Sequence, residues 1–413
     1  MAERFINILR DPFLLPWLVL VFVLPLFPVA VPWAAMLVVV SSLFRFREFR
    51  LDQQKLRSLG PWILLYLLYG IGLFYTENIE RGWISMERKL SLLVFPLLFI
   101  FLPAFDVHKR NLLQWLLVAG VILNSMLSYS EAASCYFDSG SRDCWHSSAL
   151  SFQLHPTYNA FYALTALSVV IYSLLQYGKS IKTRLLLLSL GVWLMAFVVL
   201  LASKAGLLGL TILLFAALIY AVVRSGNYRW LSWGAGGFLV IIIAIRLFSP
   251  ITFERFTATI GSSQMSEEEL FRTYASTTES NAVRRMIWIV SGEIIADHPL
   301  GVGTGDVYPS LEKKYTERQM TGALERQLNA HSQYIQTTIA LGYPGLLVLL
   351  FALISGILYA WKRNPLQLIF LMLFAVNIAF ESMLEVQAGV VFFAVMVGVF
   401  TDGGDTSTGS VQV

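Results

Sequence analysis

Long apolar runs, interrupted by short clusters of lysine and arginine, set the pattern of this 413-residue chain. Windows 12–28, 30–44, 60–75, 90–105, 111–130, 157–177, 185–203, 205–223, 231–248, 335–358, 366–380 and 387–400 are almost free of charge. A helix that crosses a bilayer needs about 20 mostly apolar residues. The pattern therefore predicts an all-α polytopic membrane protein with about 12 transmembrane helices. The first two windows are short and meet at Pro28 and Pro32. A tight hairpin there keeps the topology consistent; the alternative is one broken span.

The polar positions give the orientation. Arg45, Arg47, Arg50, Lys55 and Arg57 form one basic cluster, and Lys109 with Arg110, Lys179 with Lys182 and Arg184, Arg224 with Arg229, and Lys362 with Arg363 form four more. With a cytoplasmic N-terminus all five fall on the cytoplasmic side, as basic short loops should. The chain then divides into residues 1–248, carrying helices 1–9 and a short external loop at 131–156, and an external, mostly helical loop at 249–334. Residues 335–400 carry helices 10–12, and 401–413 form a cytoplasmic tail expected to be disordered. No cleavable signal pattern is present, so the first span would serve as the targeting signal.

Two helices are readable in 249–334. Ala282, Val283, Met286, Ile287, Val290, Ile294 and Ile295 recur at helical spacing, predicting a helix over Asn281–Ala296 with one apolar face. Ser280 or Asn281 can cap it and Pro299 follows its end. A second helix, over Pro309–Leu328, is charged and reads as solvated. Between them Gly301-Val302-Gly303-Thr304-Gly305-Asp306 reads as a tight turn, because a helix and not a strand precedes it.

Composition agrees. Hydrophobic residues make up 57% of the chain and charged residues 14%, against about 25% charged in soluble domains. The formal charge of +4 is the basic-loop bias and points to no nucleic-acid partner. Cys135 and Cys144 are the two cysteines; an oxidising compartment would permit a disulfide, and two unpaired thiols are the alternative.

The candidate chemistry lies on the external side. His331, at the mouth of the tenth span, sits where free helix amides favour an anion and a neutral imidazole can accept a proton. Arg284 and Arg285 open the amphipathic helix, where a bound anion would offset their unfavourable place in the macrodipole; two solvated arginines are the bland alternative. Lys204, between two apolar spans, is either a snorkelling lysine or a phosphate ligand. His155 opens the sixth span as a weaker candidate, with Tyr334 beside His331 as another; Glu381 and Glu385, four apart, flank the last external turn, where they either pair with the cations or sit in solvent. No His-Glu-x-x-His or cluster of metal ligands appears, so neither a metal site nor a cofactor is expected.

Three segments carry a resemblance: Leu201–Gly206, Arg284-Arg285-Met286-Ile287-Trp288 with His298-Pro299-Leu300-Gly301-Val302-Gly303-Thr304-Gly305, and Asn329–Leu347. They resemble the Ser-Arg-x-Gly junction, the Arg-x-x-x-Trp … His-Pro-Leu-x-Gly-x-Gly pattern and the His-Asn-x-Tyr-Leu-Gln … Gly-x-x-Gly-Leu pattern of the O-antigen ligase family. That family lies within a wider group that includes O-antigen polymerases and protein O-oligosaccharyltransferases. The resemblance implies a GT-C-like membrane glycosyltransferase of the bacterial inner membrane, with a periplasmic loop and a periplasmic active site. It implies an undecaprenyl-diphosphate-linked glycan donor, a lipid A–core acceptor and inverting, metal-independent transfer. Arg284 falls on the family's diphosphate-binding arginine and His331 on its catalytic histidine. Lys204 replaces a family arginine and Ser332 the common asparagine. A polymerase or a protein O-oligosaccharyltransferase would use the same donor. A lipid transporter is disfavoured, because transporter sites lie near the bilayer midplane and often between repeats, whereas these groups cluster at one face.

Overall fold

The computed structural model describes residues 11–177, 180–229, 265–278 and 281–402. Every regular element among them is helical. Among the described residues, six helices are long and apolar enough to cross a membrane: Gln53–Tyr75, Val107–Ser139, Pro156–Gln176, Ile181–Leu200, Lys204–Ser225 and Gln333–Ala360. Shorter apolar helices lie at Leu14–Val23, Pro28–Leu43, Pro365–Phe380 and Gln387–Thr401. The chain is thus a multi-pass membrane protein. The window 231–248, the stretch 249–264, Lys179, Ser280 and the tail from 403 lie outside the described residues.

Helices α1 (Leu14–Val23) and α2 (Val31–Leu43) pack against each other as the expected hairpin, each short because prolines interrupt the run. Helix α3 (Gln53–Ile71) starts at Asp52, whose carboxylate accepts from the amides of Gln54 and Lys55 at 2.9 and 3.1 Å. Next come α4 (Ile79–Lys89), an amphipathic helix absent from the sequence reading, and α5 (Ser91–Phe101). Helix α6 runs over Val107–Ser139 and α7 over Pro156–Tyr177. Helices α8 (Ile181–Leu200) and α9 (Lys204–Ser225) complete the first part of the bundle. Outside the bundle lie α10 (Glu267–Tyr274), α11 (Asn281–Asp297), α12 (Val307–Glu317) and α13 (Thr321–Glu325). Helices α14 (Gln333–Ala360), α15 (Pro365–Phe380) and α16 (Gln387–Thr401) close it.

Three expectations need correction. Residues 131–139 are not loop: α6 continues through them, because Glu131, Ala132 and Ala133 are sound helix formers and nothing stops the helix before Gly140, which takes a left-handed φ of 68°. At 33 residues α6 is about 50 Å long, well beyond a bilayer core of about 30 Å. It thus carries Cys135, bridged to Cys144 across a Cα separation of 5.8 Å, beyond the apolar span. The expected helix Pro309–Leu328 is two helices, α12 and α13, broken where Gln319 turns to a φ of 55°. The tenth window is not one regular helix, since Gly342 (φ 64°, ψ −163°) breaks α14.

That break explains two motifs. Pro344 has no N–H to reach the carbonyl of Ala340, and the Tyr343 amide turns outward to Pro299 O at 3.0 Å, freeing the carbonyl of Ile339. The amides of Val302 and Gly303 fill both vacancies, at 2.9 Å to Ile339 O and 3.0 Å to Ala340 O. The glycine loop after Pro299 is therefore a plug fitted into the kink of α14. Thr304 Oγ1 ties it to Tyr69 O at 2.6 Å, and Asp306 accepts from Thr76, Glu77 and Asn78 at 2.6, 2.6 and 2.9 Å. Gly303 has φ 103°, and an added Cβ would lie 2.8 Å from Thr76 Cα. Gly303→Ala is expected to cost about 2 kcal/mol or more from strain alone, read as a lower melting temperature in detergent. Gly140→Ala meets nothing within 4 Å but keeps the left-handed φ of 68°, so it should cost about 1 kcal/mol and lower the melting temperature less than Gly303→Ala.

At the centre, α16 is buried along its whole length from Gly389 to Thr401. Aromatic rings bind it to its neighbours: Phe393 lies 3.9 Å from Phe374 and 4.4 Å from Trp62, and Phe392 stacks at 3.8 Å on Tyr162. The core thus joins α3, α7, α15 and α16. The starts of α7, α9 and α14 and the end of α15 gather at one end of this bundle. At the other end Lys55 pairs with Asp402 at 2.5 Å and Lys109 with Asp11 at 2.7 Å.

Candidate functional site

The site begins with spacing on α11. Arg284 and Trp288, four residues apart, share one face of the helix. Trp288 Nε1 donates to Ala330 O at 3.0 Å, which holds the residue before His331 against α11. The Ala330 amide donates to Gln336 Oε1 at 3.1 Å and the His331 amide to Asn329 Oδ1 at 2.9 Å. These three bonds fix a tight turn in which His331 takes a left-handed φ of 47°, costing on the order of 1 kcal/mol. The turn points the imidazole at the end of α15.

Glu381 waits there, 6% exposed. Its Oε1 lies 3.8 Å from His331 Nδ1 and its Oε2 lies 3.9 Å from an Arg284 amino nitrogen. Both distances exceed hydrogen-bond length and leave space between the groups; the approach of Arg284 is ionic, and that of His331 is so only when its ring is protonated. Burial raises the pKa of this carboxyl, but the neighbouring His331, His155 and Arg284 outweigh it and hold the group below its ordinary value. Glu381 is therefore an anion flanked by groups able to carry positive charge.

Beside it lies a cavity of about 470 Å³, lined by His155, Tyr158, Glu381 and Gln387 on its polar side. Its apolar side is formed by Leu24, Pro28 and Val31 of the α1–α2 hairpin, with Val386. Tyr158 Oη, Ser382 Oγ and His331 Nδ1 are shielded from solvent and have no hydrogen-bond partner among the described residues. A packed structural core satisfies such groups; here they sit on or beside Glu381, as a polar ligand would require.

The other predicted residues separate into two groups. His155, at the start of α7, lines the same cavity as Glu381. Lys204 opens α9 and hydrogen-bonds Asn281 Oδ1 at the first residue of α11, one turn before Arg284. Ser203 Oγ reaches Thr157 Oγ1 at 3.4 Å, so the starts of α7 and α9 are joined. Arg285 instead donates to Met265 O at 2.9 Å and fastens α11 to the start of α10. Tyr334 donates to Ala375 O at 3.0 Å and fastens α14 to α15. Glu385 pairs with Lys89 at 2.6 Å and accepts from Gln333 at 3.2 Å.

Lys89 was not singled out by the sequence. It is fully buried at the end of α4, with Ser85 Oγ at 2.8 Å and the Tyr69 ring centroid at 4.7 Å. Burial pushes its pKa down from the usual lysine value while Glu385 opposes the change. Glu381 was readable as a possible partner of the cations but not as a buried one, and Tyr158 only as one residue of the sixth span.

Residues 189–350 match the family model described as O-antigen ligase. The matched stretch includes Lys204, Arg284, Trp288, the glycine plug, His331 and the kink of α14. The match makes this central stretch similar to O-antigen ligases. No curated protein matches the chain.

Proposed function

Starting from a central stretch similar to O-antigen ligases, we propose that this protein transfers a glycan from undecaprenyl diphosphate to a sugar hydroxyl of lipid A–core. The reaction would run at the periplasmic face of the bacterial inner membrane. The observation that carries the reading is the convergence of Arg284 and His331 on Glu381, at the bundle end that also carries His155 and Lys204.

In this mechanism the acceptor oxygen attacks the anomeric carbon, the bond from that carbon to the diphosphate oxygen breaks, and the configuration inverts. The hydroxyl proton passes to His331. Glu381 faces Nδ1, which leaves Nε2 as the accepting atom. The departing lipid diphosphate gathers negative charge. Arg284 meets that charge with a planar fork of donors and Lys204 with a point charge. The polar wall of the cavity would receive a sugar, and its apolar wall on α1–α2 suits a lipid arriving from the bilayer.

Arg284→Ala is expected to lower transfer about a hundred- to a thousandfold. Arg284→Lys keeps the charge without the fork and should recover part of it. The assay combines purified protein with defined donor and lipid A–core and reads capped product. Near-parental transfer by Arg284→Ala would remove the diphosphate role. Product formed only when a lipid-linked repeat unit is the acceptor would make the protein a polymerase.

A further inference from the structure

At the opposite end of the bundle an open groove of about 890 Å³ runs between α3 and α14. Its floor is low because Gly60 has no side chain and Ser355 has a small one. Its walls are apolar and face outward: Leu64 is 47% exposed and Phe351 54%. Both flanking helices are long enough to span a membrane, so this exposed surface faces lipid.

The mouth of the groove is cationic. Arg57, Lys362 and Arg363 line it and no carboxylate does. None of the three forms an ion pair with a carboxylate among the described residues. Arg363 is nonetheless fixed in place, by Gln54 Oε1 at 2.6 Å and by the Tyr359 ring, whose centroid lies 4.6 Å from the guanidinium carbon. A guanidinium oriented by neutral partners keeps its full charge for an anion. Basic residues at helix ends arise from orientation alone and can simply snorkel. Neither effect calls for a trough with a small-residue floor leading from the cations along two spans.

We propose that this groove is a binding site for an anionic phospholipid, with its phosphate on Arg57, Lys362 and Arg363 and an acyl chain along Gly60 and Ser355. A zwitterionic lipid fits the trough equally well but brings a cation to a mouth already carrying three. A soluble anion would gain nothing from the apolar walls. The site is separate from the reaction: α14 alone, at 28 residues, puts about 40 Å between Lys362 and His331. Occupied, the groove joins α3 to the far end of the helix whose start positions His331, so bound lipid should stabilise the bundle.

The test uses the purified full chain in nonionic detergent, titrated with phosphatidylglycerol or phosphatidylcholine and read by native mass spectrometry and thermal melting. One phosphatidylglycerol per chain should be retained, and it should raise the melting temperature. R57Q/K362Q/R363Q should weaken its binding about tenfold or more, and Ser355→Trp, which fills the trough but spares the cations, should do the same. K182Q/R184Q, at exposed cations on α8 at the same end, should leave binding unchanged. Equal retention of both lipids would overturn the proposal. So would equal loss in K182Q/R184Q, unchanged binding in the folded triple variant, or the same stabilisation by inorganic phosphate alone.

Discussion

His331→Asn is expected to reduce glycan transfer by about a hundred- to ten-thousandfold while leaving the protein folded and inserted. Asparagine is the informative substitute because position 331 has a φ of 47°, which asparagine tolerates and alanine resists. The backbone bonds to Asn329 and Gln336 then survive, and only the proton acceptor is lost. The melting temperature should hardly move, since the ring makes no hydrogen bond at Nδ1. Glu381→Gln is the companion variant. It keeps the shape of the side chain but removes the charge facing Nδ1, so it should slow transfer less than His331→Asn. The direction of the pH effect follows from the depressed pKa of Glu381. Its contribution is complete above the ordinary value of 4.5 and is lost only as pH falls through the lower folded value. Glu381 therefore stays ionised from pH 5.5 to pH 8, and the two proteins are compared at a single pH within that range. A His331→Asn protein that is folded and transfers at the parental rate would end the role assigned to the imidazole.

The parts of this site differ in how readable they were. Arg284 and His331 could be proposed from local signals, basic residues opening an amphipathic helix and a histidine before an apolar run, whereas Trp288 came only with the resemblance. The glycines after Pro299 and the Gly342–Pro344 break were each visible, but not their fit, which depends on amides at 302 and 303 meeting carbonyls at 339 and 340. No local pattern encodes a partner some 40 residues away. Glu381 was visible as a carboxylate that could pair with the cations, yet its burial between Arg284 and His331 comes from the packing of α15 against α14. The helix α6 was cut short because polar residues from Glu131 onward were read as loop, although helix propensity tolerates them when only the membrane ends. Short windows such as 12–28 gave the correct hairpin, since prolines act at the position where they occur.

Lys89→Met should be the most destabilising single change outside the proposed chemistry. The ammonium is fully buried, and its partner Glu385 has a side chain 15% exposed. Removing one member of a buried pair leaves the other charge desolvated, at a cost of about 3–5 kcal/mol. Methionine fills much of the lysine volume, so the loss reports the charge and not a cavity. The effect should reach the reaction as well. Glu385 accepts from Gln333, and Gln333 Oε1 accepts from the Leu384 amide at 2.8 Å. Gln333 thereby fastens the start of α14, two residues after His331, to the turn that carries Glu381. Lys89→Met should consequently melt several degrees below the parent and transfer poorly at temperatures where the parent is active. K89M/E385Q removes both charges and should recover much of the stability, because glutamine still accepts from Gln333. Two results would contradict this account: a single variant as stable as the parent, or a double variant less stable than the single one. Either would mean that the pair is not what ties the amphipathic helix α4 to the base of the site.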